Sequence, residues 1–167
     1  MDSNLIFNER MTYTASSCMA RLRQINRVKH CTGTCFDRQT LIILINALVF
    51  TKLFYCSSVW SNTTETNFSK IQAVQNFACR IVSGTKKYDH ITPLLKEHKW
   101  LPIRKQLYLR KAILVFKCIN GMAPGYLADR FVKRFSISGR QTRSSQLLAV
   151  PHYLPFYVIL IFIYLPF

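Results

Sequence analysis

Seven side-chain carboxylates are all the acidic residues this chain offers, and no two are adjacent. They are Asp2, Glu9, Asp37, Glu65, Asp89, Glu97 and Asp129. Two-metal catalysis needs converging carboxylates to hold its ions. Phe36-Asp37 starts an aromatic–acid pair, but Arg38 follows it. No phosphate-cradling G-x-x-x-x-G-K-[ST] run and no G-x-S-x-G nucleophile elbow occurs. His30, Cys31 and Cys35 cluster as metal ligands would. A zinc site, however, usually joins two short-spaced couples, and the second couple is missing. A catalytic thiol needs a base, and nothing in the sequence brings His90 or His98 to a cysteine. These residues predict neither an enzyme nor a metal or cofactor site.

The cations tell more. Lys and Arg number 23 against 7 acids, giving a formal charge of +16 and a pI near 10.0. Between Arg80 and Arg143 there are 15 basic and 3 acidic residues. Such a field attracts polyanions, with nucleic acid first and an acidic membrane surface second. Arg104 and Lys111 lie seven apart and so stack on one helical line; Arg110 and Lys117 form a second. With Lys105 and the loop pair Lys86 and Lys87, they are the candidate phosphate contacts. Phosphate contacts supply affinity and position without sequence specificity. The competing reading is that long basic side chains cover core edges with their stems. Arg21, Arg23, Arg27 and Lys29 on the first helix stay open between a solvated face and a phosphate contact. Tyr88, beside the loop lysines, is a candidate for base stacking. Trp60 and Trp100, flanked by Val59 and Leu101, read as packing residues.

The N-terminus has no basic start followed by an apolar run, so it does not read as a secretory signal. An intracellular setting, cytoplasm or nucleus, is therefore expected, with thiols reduced. Cys18, Cys56, Cys79 and Cys118 then act as small hydrophobes. The sequons at Asn62 and Asn67 carry no meaning without export.

Periodicity supplies the elements that must position these side chains. Cys18, Met19, Leu22, Ile25 and Val28 recur at three- and four-residue steps, predicting a helix from Asn8 to Lys29. Thr32-Gly33-Thr34 breaks it. Asp37 caps the next helix, with Phe36 and Leu41 as a hydrophobic staple. That helix, Leu41 to Phe50, is apolar nearly all round and should be central. A second piece through Leu53 to Trp60 continues it with a bend. After the polar loop 61–66, helix Asn67 to Ser83 buries Ile71, Val74, Ala78 and Ile81, and Gly84 ends it. Pro93 and Pro102 open helices 93–98 and 102–119. The latter carries Ile103, Leu107, Leu114 and Cys118 in one stripe, with Tyr108, Val115 and Ile119 beside it. Gly121 ends it, and Pro124 opens a last helix to about Phe131. No useful alternating strand pattern appears before the tail. The fold class is all-α, a small irregular bundle of about five to seven helices over residues 1–135. Residues 136–153 read as a basic flexible linker. The uncharged run 154–167 is shorter than the roughly 20 apolar residues of a membrane span. It reads as frameshifted or truncated sequence and as an aggregation hazard, with a membrane anchor as the alternative.

Five blocks now stand in order: Phe-Tyr-Cys-Ser-Ser-Val-Trp (54–60), Gln-Asn-Phe-Ala-Cys-Arg-Ile-Val-Ser-Gly (75–84), Pro-Leu-Leu-Lys-Glu (93–97), Trp-Leu-Pro-Ile (100–103) and Phe-Lys-Cys-Ile-Asn-Gly-Met-Ala-Pro-Gly-Tyr-Leu (116–127). Their order and spacing resemble the region just downstream of the polymerase in reverse transcriptases of non-LTR (LINE-type) retrotransposons. The resemblance covers about Asp2 to Pro151. It implies a thumb-like, post-polymerase helical part that helps hold template and primer. That family's polymerase carries an adjacent Asp pair behind an aromatic residue, and no such pair stands here. The resemblance thus implies a non-catalytic fragment, with nucleic acid as partner and no catalytic residue to carry over. The small insertion Cys31 to Cys35 departs from the family pattern and suggests a decayed copy. Two other readings stay open: a basic helical adaptor on a protein or membrane surface, and a degenerate reading frame without function.

Overall fold

The computed structural model describes residues 7–31, 36–139, 143, 145 and 147–149. They form helices and no strand; the one bridge among them pairs Lys133 with Leu148 antiparallel. The expected all-α class is therefore the observed one. The helices are α1 (Asn8–Cys31), α2 (Arg38–Ile45), a π-helical turn (Asn46–Phe50), α3 (Thr51–Leu53), α4 (Ser57–Trp60), α5 (Glu65–Ser83), α6 (Ile91–Glu97), α7 (Ile103–Ile119), α8 (Gly125–Ala128) and α9 (Arg134–Ser138). The chain divides into two compact units, one ending at Leu107 and one beginning at Tyr108.

In the first unit α1 packs most extensively on α5, and α2 and α6 also lie against α5. Helix α1 buries Met11, Ala15, Cys18, Leu22 and Ile25. These recur in alternating steps of four and three, a period near 3.5. An α-helix turns once in 3.6 residues, so the row drifts away from any seam extended too far. The next step of four falls at residue 29, so Val28, expected on the buried face, lies to one side of the row and is 47% exposed. Helix α5 buries the expected Ile71, Val74, Ala78 and Ile81, together with Asn67 and Gln75. It starts two residues before the expected Asn67. Asn67 itself is buried, and its Nδ2 donates to Thr63 Oγ1 (2.6 Å) and Asn8 Oδ1 (2.7 Å). Gly84 closes α5 with φ +68, donating its N–H to the Arg80 carbonyl at 2.8 Å. Asp37 caps α2, its carboxylate accepting from the Arg38 N–H at 2.7 Å.

The continuous helix expected through residue 50 widens instead into the π turn Asn46–Phe50. The expected bend before Trp60 falls at Cys56, which adopts left-handed φ 51. Cys56 is thereby exposed, against the expectation that it packs as a small hydrophobe. Cys31 is exposed too, whereas Cys18, Cys79 and Cys118 are buried. Burial pushes the Cys79 thiol up to about 11, with Arg80 pulling weakly the other way. Reaction requires the thiolate. Brief labelling of the native protein with iodoacetamide should therefore modify Cys31 and Cys56 and spare Cys18, Cys79 and Cys118 until denaturant is added. Mass spectrometry reads this directly, and native labelling of Cys79 would contradict the placement.

Both tryptophans take packing roles. Trp60 is buried and donates Nε1–H to the Tyr55 carbonyl at 3.0 Å. Trp100 meets Phe50 edge-on at 5.0 Å between ring centroids. Lys99, at φ 57, turns the chain after α6 so that the Trp100 N–H reaches the Leu95 carbonyl at 2.8 Å.

His98 links α6 to α2 and α5. Its Nε2 lies 2.6 Å from Ser83 Oγ, and its Nδ1 lies 3.0 Å from an Arg38 nitrogen that also meets Glu97 at 2.5 Å. Arg38 can only donate, so Nδ1 accepts and the ring is neutral with its proton on Nε2. Burial, then Arg38, lowers the His98 pKa below its ordinary 6.5. A lowered histidine pKa means that the unfolded chain takes up the proton first as pH falls. Stability is therefore full above about 6.5 and lost below it, until the folded ring also titrates. Glu97, lowered by its bond to Arg38, adds a separate loss only below its ordinary 4.5. Urea midpoints measured from pH 7.5 to 5.5 should fall for the native sequence and fall less for His98→Gln. Equal slopes would contradict this role for His98.

In the second unit, α8 follows Pro124 as expected, and α9 begins inside the expected helical domain and runs into the first residues of the expected linker. Residues 136–138 are helical. Strand-like bonds run from the Arg134 N–H to the Leu147 carbonyl (2.9 Å) and from the Ala149 N–H to the Val132 carbonyl (2.7 Å). Of the expected linker, residues 140–142, 144, 146 and 150–153 lie outside the described residues, as do the apolar run 154–167, Cys35 and the 32–34 break. Among the described residues no helix is long and apolar enough to cross a membrane.

Candidate nucleic-acid interface

The first-helix cations, left open by the sequence, divide by role. Arg21 donates to the Leu48 carbonyl at 2.6 Å, fastening the end of the π turn. Lys29 donates to the Ile81 carbonyl at 2.6 Å, in the last turn of α5. Arg23 is exposed and lines a cleft of about 670 Å³ between α1 and α5. Lys29, His30, Arg80 and Lys87 line the same cleft, and no acid does. Met19, Ala73, Phe77 and Ile81 supply its apolar wall.

Two residues that line this cleft each bury a polar atom without a hydrogen-bond partner: Arg80 its Nε and Thr85 its Oγ1. A buried donor left unmade costs about 1–3 kcal/mol, more when charged. A ligand bringing acceptor oxygens would recover that. One effect opposes an anion here, because the C-terminal end of α5 presents carbonyls and a negative dipole. Lys29 occupies the Ile81 carbonyl and the Gly84 N–H occupies that of Arg80, which weakens the opposition. With four full positive charges and no carboxylate at the cleft, the net local field favours anions.

The seven cations expected from sequence are sorted less simply. Lys87 lines the cleft. Lys86 is exposed beside it, its backbone N–H held by the Asp89 carboxylate at 2.7 Å. Tyr88 is 90% exposed on the same loop. Arg104 is half-exposed but tied: it pairs with Glu65 and lies over the Phe68 ring, 4.9 Å from its centroid. Lys105 is exposed in the first unit, and Arg110 and Lys117 are exposed in the second. Lys111 corrects the expectation. It is only 9% exposed, and burial lowers its pKa. It lies four residues from both Leu107 and Val115, and the buried row of α7 is Ile103, Leu107, Lys111, Val115 and Cys118. Lys111 therefore belongs to the packed face, with its stem among apolar residues. Leu114, expected in the buried stripe, is only half-buried.

Sequence reasoning did not single out Phe77, Arg80 or Thr85 as site residues. Its available signal was a set of polar residues at helical spacing beside each apolar seam: Arg23, Asn26 and His30 on α1, and Asn76 and Arg80 on α5. Which two helices face each other is not written in either row. Among the described residues no group of three or more metal-ligating side chains converges. No family model matches this chain, and no curated protein or solved structure matches it either.

Proposed function

We propose that this chain is a non-catalytic helical module that holds nucleic acid by its backbone, with little sequence preference. One observation carries the reading: Arg23, Lys29, Arg80 and Lys87 converge on a single acid-free cleft. The formal charge of +16 adds a long-range field that steers polyanions toward it. The resemblance to the region downstream of the polymerase in non-LTR reverse transcriptases points the same way. In that reading the module holds template or primer while the polymerase carboxylates lie elsewhere.

The test is binding of the full chain to labelled oligonucleotides of several sequences across a salt series. Backbone binding predicts similar affinities for all sequences and a linear fall of log affinity with log salt. Strong sequence preference, or binding insensitive to salt, counts against it. Tight binding to a protein partner with none to oligonucleotides would favour the adaptor alternative.

A further inference from the structure

We propose that the cleft between α1 and α5 seats one unstacked nucleotide of a single strand, its phosphate at Arg80 and Thr85 and its base against Phe77. The proposal rests on the nucleic-acid reading above and adds strandedness and a binding register to it.

Three observations carry it. The first is size and lining. About 670 Å³ is far more than a bare phosphate fills and is within the range of small-ligand pockets. A surface that only tracked phosphates would need cations alone, yet this cleft has a wall of Met19, Ala73, Phe77 and Ile81. An apolar wall facing a cationic rim matches a base joined to a phosphate. The second is the pair of unpartnered buried atoms. Arg80 Nε is a donor, and the Thr85 hydroxyl can donate. Neither has a partner within the protein, so each side chain gains a hydrogen bond on turning to a phosphate oxygen in the cleft. The third is Phe77. Its ring is half-buried, held by packing against the core while it also lines the cleft. A ring held in this way offers a base a stacking face with little ordering cost, and stacking tolerates every base.

Duplex DNA or RNA keeps its bases stacked inside the helix and can offer the cleft only backbone. Single strands offer both parts. The cleft therefore prefers single-stranded to double-stranded nucleic acid, while Lys86, Lys105, Arg110 and Lys117 hold either by charge. Asn26 and Asn76 also line the cleft and can hydrogen-bond a base edge without demanding one base.

The experiment compares an unstructured single strand with a hairpin duplex of equal charge, using the full chain and fluorescence anisotropy. The variants are Phe77→Leu, which keeps apolar volume without the ring, Arg80→Gln and Thr85→Val. Phe77→Leu should weaken single-strand binding about tenfold. The duplex should lose much less, which is the signature of a stacking contact. Arg80→Gln should weaken the single strand about tenfold. Thr85→Val should do so by a few-fold. Circular dichroism melts identify any variant that fails to fold. An independent readout avoids substitution altogether: a single strand carrying 5-iodouracil, irradiated on the native protein, should cross-link to the peptide containing Phe77.

Single-strand binding unchanged in Phe77→Leu, with cross-links elsewhere, would overturn the nucleotide seat while leaving backbone binding intact. Equal loss for strand and hairpin would overturn it too, reducing the cleft to a phosphate contact. Absence of binding to either nucleic acid would overturn both readings. Binding to vesicles containing phosphatidylserine with none to oligonucleotides would assign the cations to a lipid surface instead.

Discussion

Replacing Gln75 with alanine is expected to destabilise the first unit by about 3 kcal/mol, more than most single substitutions do. Gln75 is fully buried on α5. Its Nε2 donates to the Leu101 carbonyl at 2.8 Å, and its Oε1 accepts from Gln72 Nε2 at 2.8 Å. Gln72 Oε1 in turn accepts from the Ile103 N–H at 3.0 Å, at the first residue of α7. Two glutamines on α5 thus bind both backbone groups that bracket Pro102 and fix where α7 starts. Alanine removes two hydrogen bonds and leaves a cavity, and each loss costs about 1–3 kcal/mol. Methionine would refill the volume without restoring the bonds, so Gln75→Met should cost about half as much. Urea or thermal unfolding followed by circular dichroism decides it. A melting shift of roughly ten degrees is expected for the alanine variant. A loss of less than about 0.5 kcal/mol, the level of an ordinary surface change, would contradict the clamp.

The same pair of residues shows what the sequence could reveal. Helix α5 was legible because Ile71, Val74, Ala78 and Ile81 repeat at helical spacing and Gly84 supplies the left-handed stop. Gln75 lies next to that seam, but glutamine is ordinarily exposed, so the pattern does not mark it as buried. Its burial depends on the Leu101 carbonyl, a partner 26 residues away. Lys111 misled in the opposite way. Its seven-residue alignment with Arg104 was correct as geometry, but Lys111 itself falls on the packed face of α7 while Arg104 is half-exposed. Charge was weighed over position, and only packing reveals that a lysine stem fills an apolar row. Cys56 reads as a small hydrophobe within the helical piece Leu53 to Trp60. The chain instead turns at that residue, and nothing local marks a left-handed cysteine. The π turn at Asn46–Phe50 is equally silent, since a single widened turn leaves the apolar pattern intact.

The cleft stands between these cases. Each of its cations was visible, and their total charge pointed to the proposed class of partner. Their convergence depends on α1 crossing α5, which rests on long-range packing of Leu22, Ile25, Ile71 and Val74 in one core. Some cations that looked equally available are occupied: Arg21 and Lys29 by carbonyls, Lys52 by Ser17 at 2.6 Å, and Lys70 by Thr12 at 2.8 Å. Net charge alone therefore overstates the surface open to a ligand.

The second large effect follows from that distinction and tests the central claim most directly. The measurement is the salt dependence of oligonucleotide affinity for the full chain and for Arg23→Gln/Arg80→Gln/Lys87→Gln. Each neutralised phosphate contributes roughly 0.7–0.9 to the slope of log affinity against log salt. Removing three cleft cations should flatten the slope by about two units and weaken binding on the order of 100-fold at moderate salt. The paired substitution Arg110→Gln/Lys117→Gln removes exposed charges that do not line the cleft and should cost severalfold less. Both effects should be uniform across sequences. A slope and affinity unchanged in the triple variant, with the fold intact by circular dichroism, would contradict the assignment of this cleft as the nucleic-acid interface.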